Sequence, residues 1–246
     1  MKVVFILALS IAWALASVPF IQKTSLPSLK PEGYLYGEKA KNNQVRLDIY
    51  ADYLWDDCKK FDPVFRKYIS DTKVKQGPVK DLVETYLHIY PLPYHHHAFS
   101  ASQMAPYIQD LTKNSTQFYE FTEWMIDNQH RYEEQARCLS EAQCQHRIWY
   151  EAAKKFSYID RDHCLKMFQT YRFDNDARIS FKYAAAQGIT ETPAVLLNGI
   201  KVDTPTNQEE WQALMKPYID PDLPEQPKGN HLDYRPHRIQ ESKIGC

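Results

Sequence analysis

Three clusters of residues carry side chains capable of chemistry. At Trp55-Asp56-Asp57-Cys58 a thiol follows an indole and two carboxylates. A thiol attacks only as thiolate, and the partial positive charge at a helix N-terminus favours that form. Asp56 and Asp57 occupy the same field, so they stabilise a helix start by roughly 0.3–1 kcal/mol each and repel a neighbouring thiolate. Cys58 therefore reads as a small apolar residue beneath the helix, or as a one-cysteine thiol that traps partners as mixed disulfides. Trp55 reads as a packed aromatic or as a surface anchor for a partner, a role in which tryptophan is over-represented.

The second cluster is His95-His96-His97. Adjacent side chains point in different directions on a helix or a strand, so three consecutive imidazoles do not converge on one ion. No His-x-x-x-His spacing and no cysteine close in sequence completes a ligand set. No metal and no other cofactor is expected, and the segment is read as a polar entry to a helix.

The cysteines form the third: Cys58, Cys138, Cys144, Cys164 and Cys246. Cys138–Cys144 is the favoured bridge, a short loop whose closure contributes about 2 kcal/mol in the chain-entropy account, with Cys164 as the competing partner of either. Five is an odd number, and Cys246 near the end of the chain is a candidate for an intermolecular disulfide. Asn114-Ser115-Thr116 is the single Asn-x-Ser/Thr triplet and makes Asn114 a glycan acceptor candidate. There is no glycine-rich phosphate loop, no serine elbow with histidine and aspartate partners, and no basic–aromatic patch. The carboxylate pairs Asp56-Asp57 and Glu133-Glu134 are adjacent and do not face each other across a cleft.

These residues sit in a chain of 246 that opens with Lys2, an apolar run from Val3 to Leu15, and small residues at Ala14 and Ala16. That is the pattern of a cleaved secretory signal over residues 1–16, and no later stretch is apolar enough to span a bilayer. Removing it takes Lys+Arg from 30 to 29 against 31 Asp+Glu, a net of −2, so nothing in the charge favours nucleic acid or an anionic membrane. Hydrophobic content of 43% excludes a disordered chain, and seven glycines exclude a collagen-like one. The protein is expected outside the cell or in the lumen of the secretory pathway.

The elements that position the site follow from the patterning. Residues 17–32 read as an extended leader and Gly33 to Gly37 as a short edge strand. Val45 to Ala51 alternates as a strand; Asp56 to Ile69 is helical with Phe61, Phe65 and Tyr68 on one face; Leu82 to Tyr90 is strand-like again. A crossover helix makes the two strands parallel. Residues from about 98 to 188 are helical, with a capping box at Ser140 and Gln143 and a stop at Gly188. Pro193 to Leu197, Asn198-Gly199 and Ile200 to Val202 form a hairpin, a last helix covers about 207–218, and a proline-rich tail occupies 219–246.

This order resembles the DsbA-like branch of the thioredoxin fold: α/β, a central mixed sheet with an all-helical insertion, spanning residues 33–218. Asp52 to Pro63 is similar to that family's active-site segment, Thr192-Pro193 before a strand is similar to its cis-proline loop, and Tyr94-His95 with Ala98-Phe99 is similar to its segment before the insertion. The resemblance places Trp55 where the family has its attacking cysteine, so the Cys-x-x-Cys motif is degenerate at Trp55-Asp56-Asp57-Cys58. It implies a secreted protein that has lost redox catalysis and binds a protein or peptide segment at the Thr192-Pro193 loop. The alternatives are an oxidoreductase or isomerase acting through Cys58, and a structural component of an extracellular assembly attached through the tail.

Overall fold

The computed structural model describes residues 32–37 and 45–219. The expected signal sequence, the leader up to residue 31, and the tail beyond Ile219 with Cys246 lie outside the described residues.

In chain order the elements are β1 (Tyr34–Leu35), β2 (Val45–Ala51), α1 (Asp56–Asp71), β3 (Lys73–Val74), β4 (Gly77–Pro78), α2 (Val79–Leu82), β5 (Val83–Ile89), α3 (Ala98–Ser102), α4 (Met104–Thr112), α5 (Ser115–Asp127), α6 (Glu141–Lys155), α7 (Arg161–Phe168), α8 (Arg172–Ala186), β6 (Ala194–Leu197), β7 (Ile200–Val202) and α9 (Gln208–Ile219). Five strands form one mixed sheet in the order β1-β5-β2-β6-β7. The central pair β2 and β5 is parallel, with Val45 opposite Val83 and Ala51 opposite Ile89. β1, β6 and β7 join antiparallel. β3 and β4 make a separate two-stranded ribbon. The fold is thus the thioredoxin-like α/β arrangement, with α3 to α8 between β5 and β6.

β2 alternates apolar and polar, yet all but one of its residues are buried, because both sheet faces are covered. Leu47 and Ile49 join one core with Phe61, Phe65, Tyr68 and Trp211. Trp211 of α9 is fully buried, its ring 5.4–6.0 Å from those three aromatic rings of α1; an aromatic of that size contributes several kcal/mol of burial. On the other face Tyr50 packs with Tyr90, Leu196 and Ile189, and α8 supplies Phe181, stacked on Tyr90 at 4.9 Å.

Asp48 on that second face is buried and paired. His88 Nε2–H donates to its Oδ1 at 2.8 Å, and Arg46 donates to both oxygens. Burial alone raises a carboxyl; His88 and Arg46 outweigh it and hold Asp48 below its ordinary value. His88 is sandwiched between Tyr50 at 4.4 Å and Tyr183 at 5.5 Å. Gly33 lies against its edge with φ +106°, where a Cβ would meet His88 Cε1 at 2.6 Å. Only glycine meets both demands.

The helical insertion has its own aromatic interior, Phe118, Phe121, Phe156 and Trp149 among others, and merges with the sheet core. Tyr34 stacks on Phe118 at 4.3 Å, and the Tyr53 hydroxyl bonds Thr122 at 3.2 Å. α6 begins with a complete capping box between Ser140 and Gln143. In the hairpin turn Asn198 and Gly199 both have positive φ, the backbone a two-residue connection requires.

Candidate functional site

The C-terminal ends of the parallel strands β2 and β5 open onto the site. β2 passes through Asp52 into the N-terminus of α1, where Trp55 is the N-cap in extended conformation and offers no side-chain cap. Asp56 and Asp57 fill the first turn. The side chain of Gln129, from the insertion, donates to Asp56 Oδ1, and Lys59 Nζ donates to the Asp127 carbonyl at 3.0 Å. The helix start is therefore tied to the insertion on one side. Farther along α1, Asp62 pairs with Arg66, which also reaches Glu123 of α5; burial pushes the Asp62 carboxyl up to about 6 despite Arg66.

Cys58 points inward and is 1% exposed. Its Sγ accepts a bond from the Asp52 backbone N–H at 3.3 Å. Burial pushes the thiol up to about 12; the neighbouring Thr192 side chain and the Asp52 N–H pull the other way, and the Asp52 and Asp57 charges add to the rise. The Thr192 hydroxyl oxygen is buried and has no hydrogen-bond partner at normal distance. Burial thus keeps the Cys58 thiol protonated at neutral pH.

Asp52 is the centre of the network. Oδ1 accepts from the Leu54 N–H, and Oδ2 accepts from the Leu92 N–H and from His95 Nδ1–H, each at 2.8 Å. A fully buried carboxylate is tolerable only with such partners. Burial lowers the His95 imidazole, but the Asp52 hydrogen bond and charge, helped by Glu133 and Asp56, outweigh it and raise it above its ordinary value. The Trp55 indole, half-buried, stacks on His95 at 4.9 Å, and Tyr94, 65% exposed, meets the same ring edge-on at 4.9 Å. Trp55 thus closes the mouth of the site and contacts both core clusters.

The Thr192–Pro193 peptide bond is cis. Among the described residues the Thr192 N–H and C=O make no backbone hydrogen bond, while the Pro193 carbonyl accepts from Thr204 Oγ1 at 3.1 Å.

The three histidines stand at the entry to α3, with His97 as its N-cap, as the polar helix entry expected of them, but two of the three are buried. His95 is held by Asp52, His97 Nε2 bonds the Ala136 carbonyl at 3.0 Å, and only His96 is exposed. The His96 and His97 rings meet edge-on at 4.3 Å, while His95 turns to Asp52. The expected Cys138–Cys144 bridge is not formed either, nor is the Cys164 alternative; all four described thiols are free. The capping box sets the phase of α6 so that Cys144 turns into the core, its Sγ donating to the Tyr132 carbonyl at 3.8 Å, while Cys138 stays exposed in the preceding turn. Cys164 is buried in α7. None of these three stands on the strands or helix that carry Cys58.

The contact between Asp52 and His95 is a pairing that the sequence reading, which placed each residue in its own segment, did not make. The available signal was an acidic residue at a strand end with a histidine after the Pro91-Leu92-Pro93 corner.

This is the architecture of a thioredoxin-fold protein with a helical insertion after the second parallel strand. The family model described as thioredoxin matches residues 30–217, and the chain belongs to that family. Among solved structures it is similar to a putative protein-disulfide isomerase from Pseudomonas syringae, with 12% identity over 75% of this chain and 98% of that one and a TM-score of 0.59. A variant of alpha-DsbA1 from Wolbachia pipientis matches with 15% identity over 77% and 91% at 0.58. Oxidised BdbD from Bacillus subtilis matches with 14% identity over 75% and 91% at 0.56. No curated protein sequence matches. Among the described residues no helix is long and apolar enough to cross a membrane.

Proposed function

We propose that the protein is a secreted or secretory-lumen thioredoxin-like protein that has lost dithiol exchange and works by binding an extended protein segment. The segment lies along the Thr192–Pro193 loop, whose free main-chain groups suit strand addition, with Trp55 and Tyr94 as aromatic anchors. The observation that carries the reading is Trp55 three residues before a buried Cys58. Exchange needs a thiolate to attack and a second thiol to resolve the mixed disulfide. An indole does neither, and the remaining sulfur stays protonated.

Family membership favours a second reading, thiol–disulfide oxidoreductase chemistry through Cys58, because one similar structure is described as a putative protein-disulfide isomerase. Insulin reduction by dithiothreitol separates the two. The binding reading expects no acceleration by the wild-type protein and a gain of turnover in Trp55→Cys, which restores two thiols three residues apart at a helix start. Wild-type turnover that disappears in Cys58→Ala overturns it.

A further inference from the structure

We infer that Asn114 carries an N-linked oligosaccharide. The inference rests on the secretory part of the proposed function and is independent of the chemistry at Cys58. Asn114 stands between α4 and α5, exposed, with Lys113 and Thr116 exposed on either side. The helix on its C-terminal side begins in a way that leaves the acceptor atom free. Asn114 is the N-cap of α5 in extended conformation, and its Oδ1 accepts from the Gln117 N–H at 3.1 Å. Nδ2 has no hydrogen-bond partner among the described residues. The two atoms of one amide are thus divided: the oxygen caps the helix and the nitrogen faces outward. Thr116 supplies the hydroxyl at the third position that the acceptor triplet requires, and residue 115 is serine, not proline.

The transfer is balanced without redox change. Nδ2 forms a bond to the anomeric carbon of the sugar while the bond from that carbon to the diphosphate of a lipid-linked oligosaccharide donor breaks. The lipid diphosphate leaves with the electron pair, and the amide proton passes to a base of the transferase. The amide carbonyl is untouched, so the cap of α5 persists in the product.

The placement is also compatible with docking at the other end of the sheet. Ser115 Oγ donates to the Gly37 carbonyl at 3.0 Å. Gly37 follows Tyr36, whose N–H bonds the Thr85 carbonyl near the start of β5. Trp55 and His95 lie beyond the opposite ends of β2 and β5. A bulky solvated glycan at Asn114 therefore occupies the pole away from the Thr192–Pro193 loop.

The cap chemistry supplies controls that separate modification from folding. The full chain is expressed in a eukaryotic secretory host, and again with residues 1–16 replaced by a proven secretory signal, so that failure to enter the lumen is not taken for failure of Asn114. The expected result is a mass excess that peptide-N-glycosidase removes. Thr116→Ala and Asn114→Asp each abolish the excess, and Thr116→Ser retains it. Peptide-N-glycosidase leaves aspartate at position 114, so Asn114→Asp is the same polypeptide as the enzymatically deglycosylated wild type and keeps a capping oxygen, whereas Asn114→Gln loses glycan and cap together and unfolds earlier than either. Lumenal protein with unmodified Asn114 in the peptide map, or a mass excess that survives both Thr116→Ala and Asn114→Asp, overturns the inference.

Discussion

Replacing Asp52 by asparagine tests whether the site is held by one buried carboxylate. Asp52 accepts three bonds through two oxygens, from the Leu54 N–H, the Leu92 N–H and His95 Nδ1–H. The substituted amide would keep one accepting oxygen. With that oxygen toward Leu54, its NH₂ group meets two further donors. The buried Leu92 N–H then goes unpaired, at about 1–3 kcal/mol, and the charge-assisted bond to His95 is lost, at about 1.5–3 kcal/mol. Asp52→Asn is therefore expected to lose about 2.5–6 kcal/mol, a large share of a domain's ordinary stability, and to lower the melting temperature by roughly 5–24 °C. The pH dependence adds a signature that a packing defect lacks. His95 is raised in the folded state, so its contribution is complete below the unfolded value of about 6.5 and is lost as pH rises through the folded value. The gap between wild type and variant is widest at pH 6 and narrows toward pH 8.5. Urea denaturation across that range reads both features. A midpoint within 1 kcal/mol of wild type at pH 6, or a gap that does not narrow with pH, refutes the reasoning.

Gly33→Ala places a Cβ 2.6 Å from His88 Cε1 on a backbone with φ +106°; the expected cost is about 2–4 kcal/mol, read by thermal or chemical unfolding. Brief alkylation of the native protein at pH 8 modifies the exposed Cys138 and spares Cys58, Cys144 and Cys164, which react only after unfolding; mass spectrometry of the labelled peptides checks it, and native labelling of Cys58 contradicts its burial and its thiol at about 12.

Much of the scaffold was legible because its signals are local. The apolar–polar alternation of Val45 to Ala51, the helical spacing of Phe61, Phe65 and Tyr68, and the Asn198-Gly199 turn each act within a few residues. The parallel pairing of β2 with β5 follows from the helix between them. Trp55, Asp56, Asp57 and Cys58 stand together because they are consecutive. The partners of the site were not legible in that way. Asp52 and His95 are 43 positions apart and Asp48 and His88 are 40 apart; the second pair depends on the register of β2 and β5, the first on how the chain leaves the ends of those strands. Cys138 and Cys144 are close in sequence, but the phase of α6 sends Cys144 into the core while Cys138 stays exposed in the turn before it.

The polar positions of β2 carried more than their alternation conveyed. Period-two patterning assigns Asp48 to a solvated face, yet a parallel strand at the centre of a sheet with helices on both sides has no such face. Every acidic residue on or just after it must then find a buried donor, at a cost of several kcal/mol if it fails. Asp48 and Asp52 lie four residues apart on the same face, and the adjoining segment supplies His88 and His95 in the same order. A carboxylate on the central strand with one just after it, and a histidine on its parallel neighbour with one in the segment that follows, are thus one pattern of buried pairing. Cys58 needs no such partner: a protonated thiol is a small apolar group, and the same enclosure that forces imidazoles onto the two aspartates keeps its proton in place.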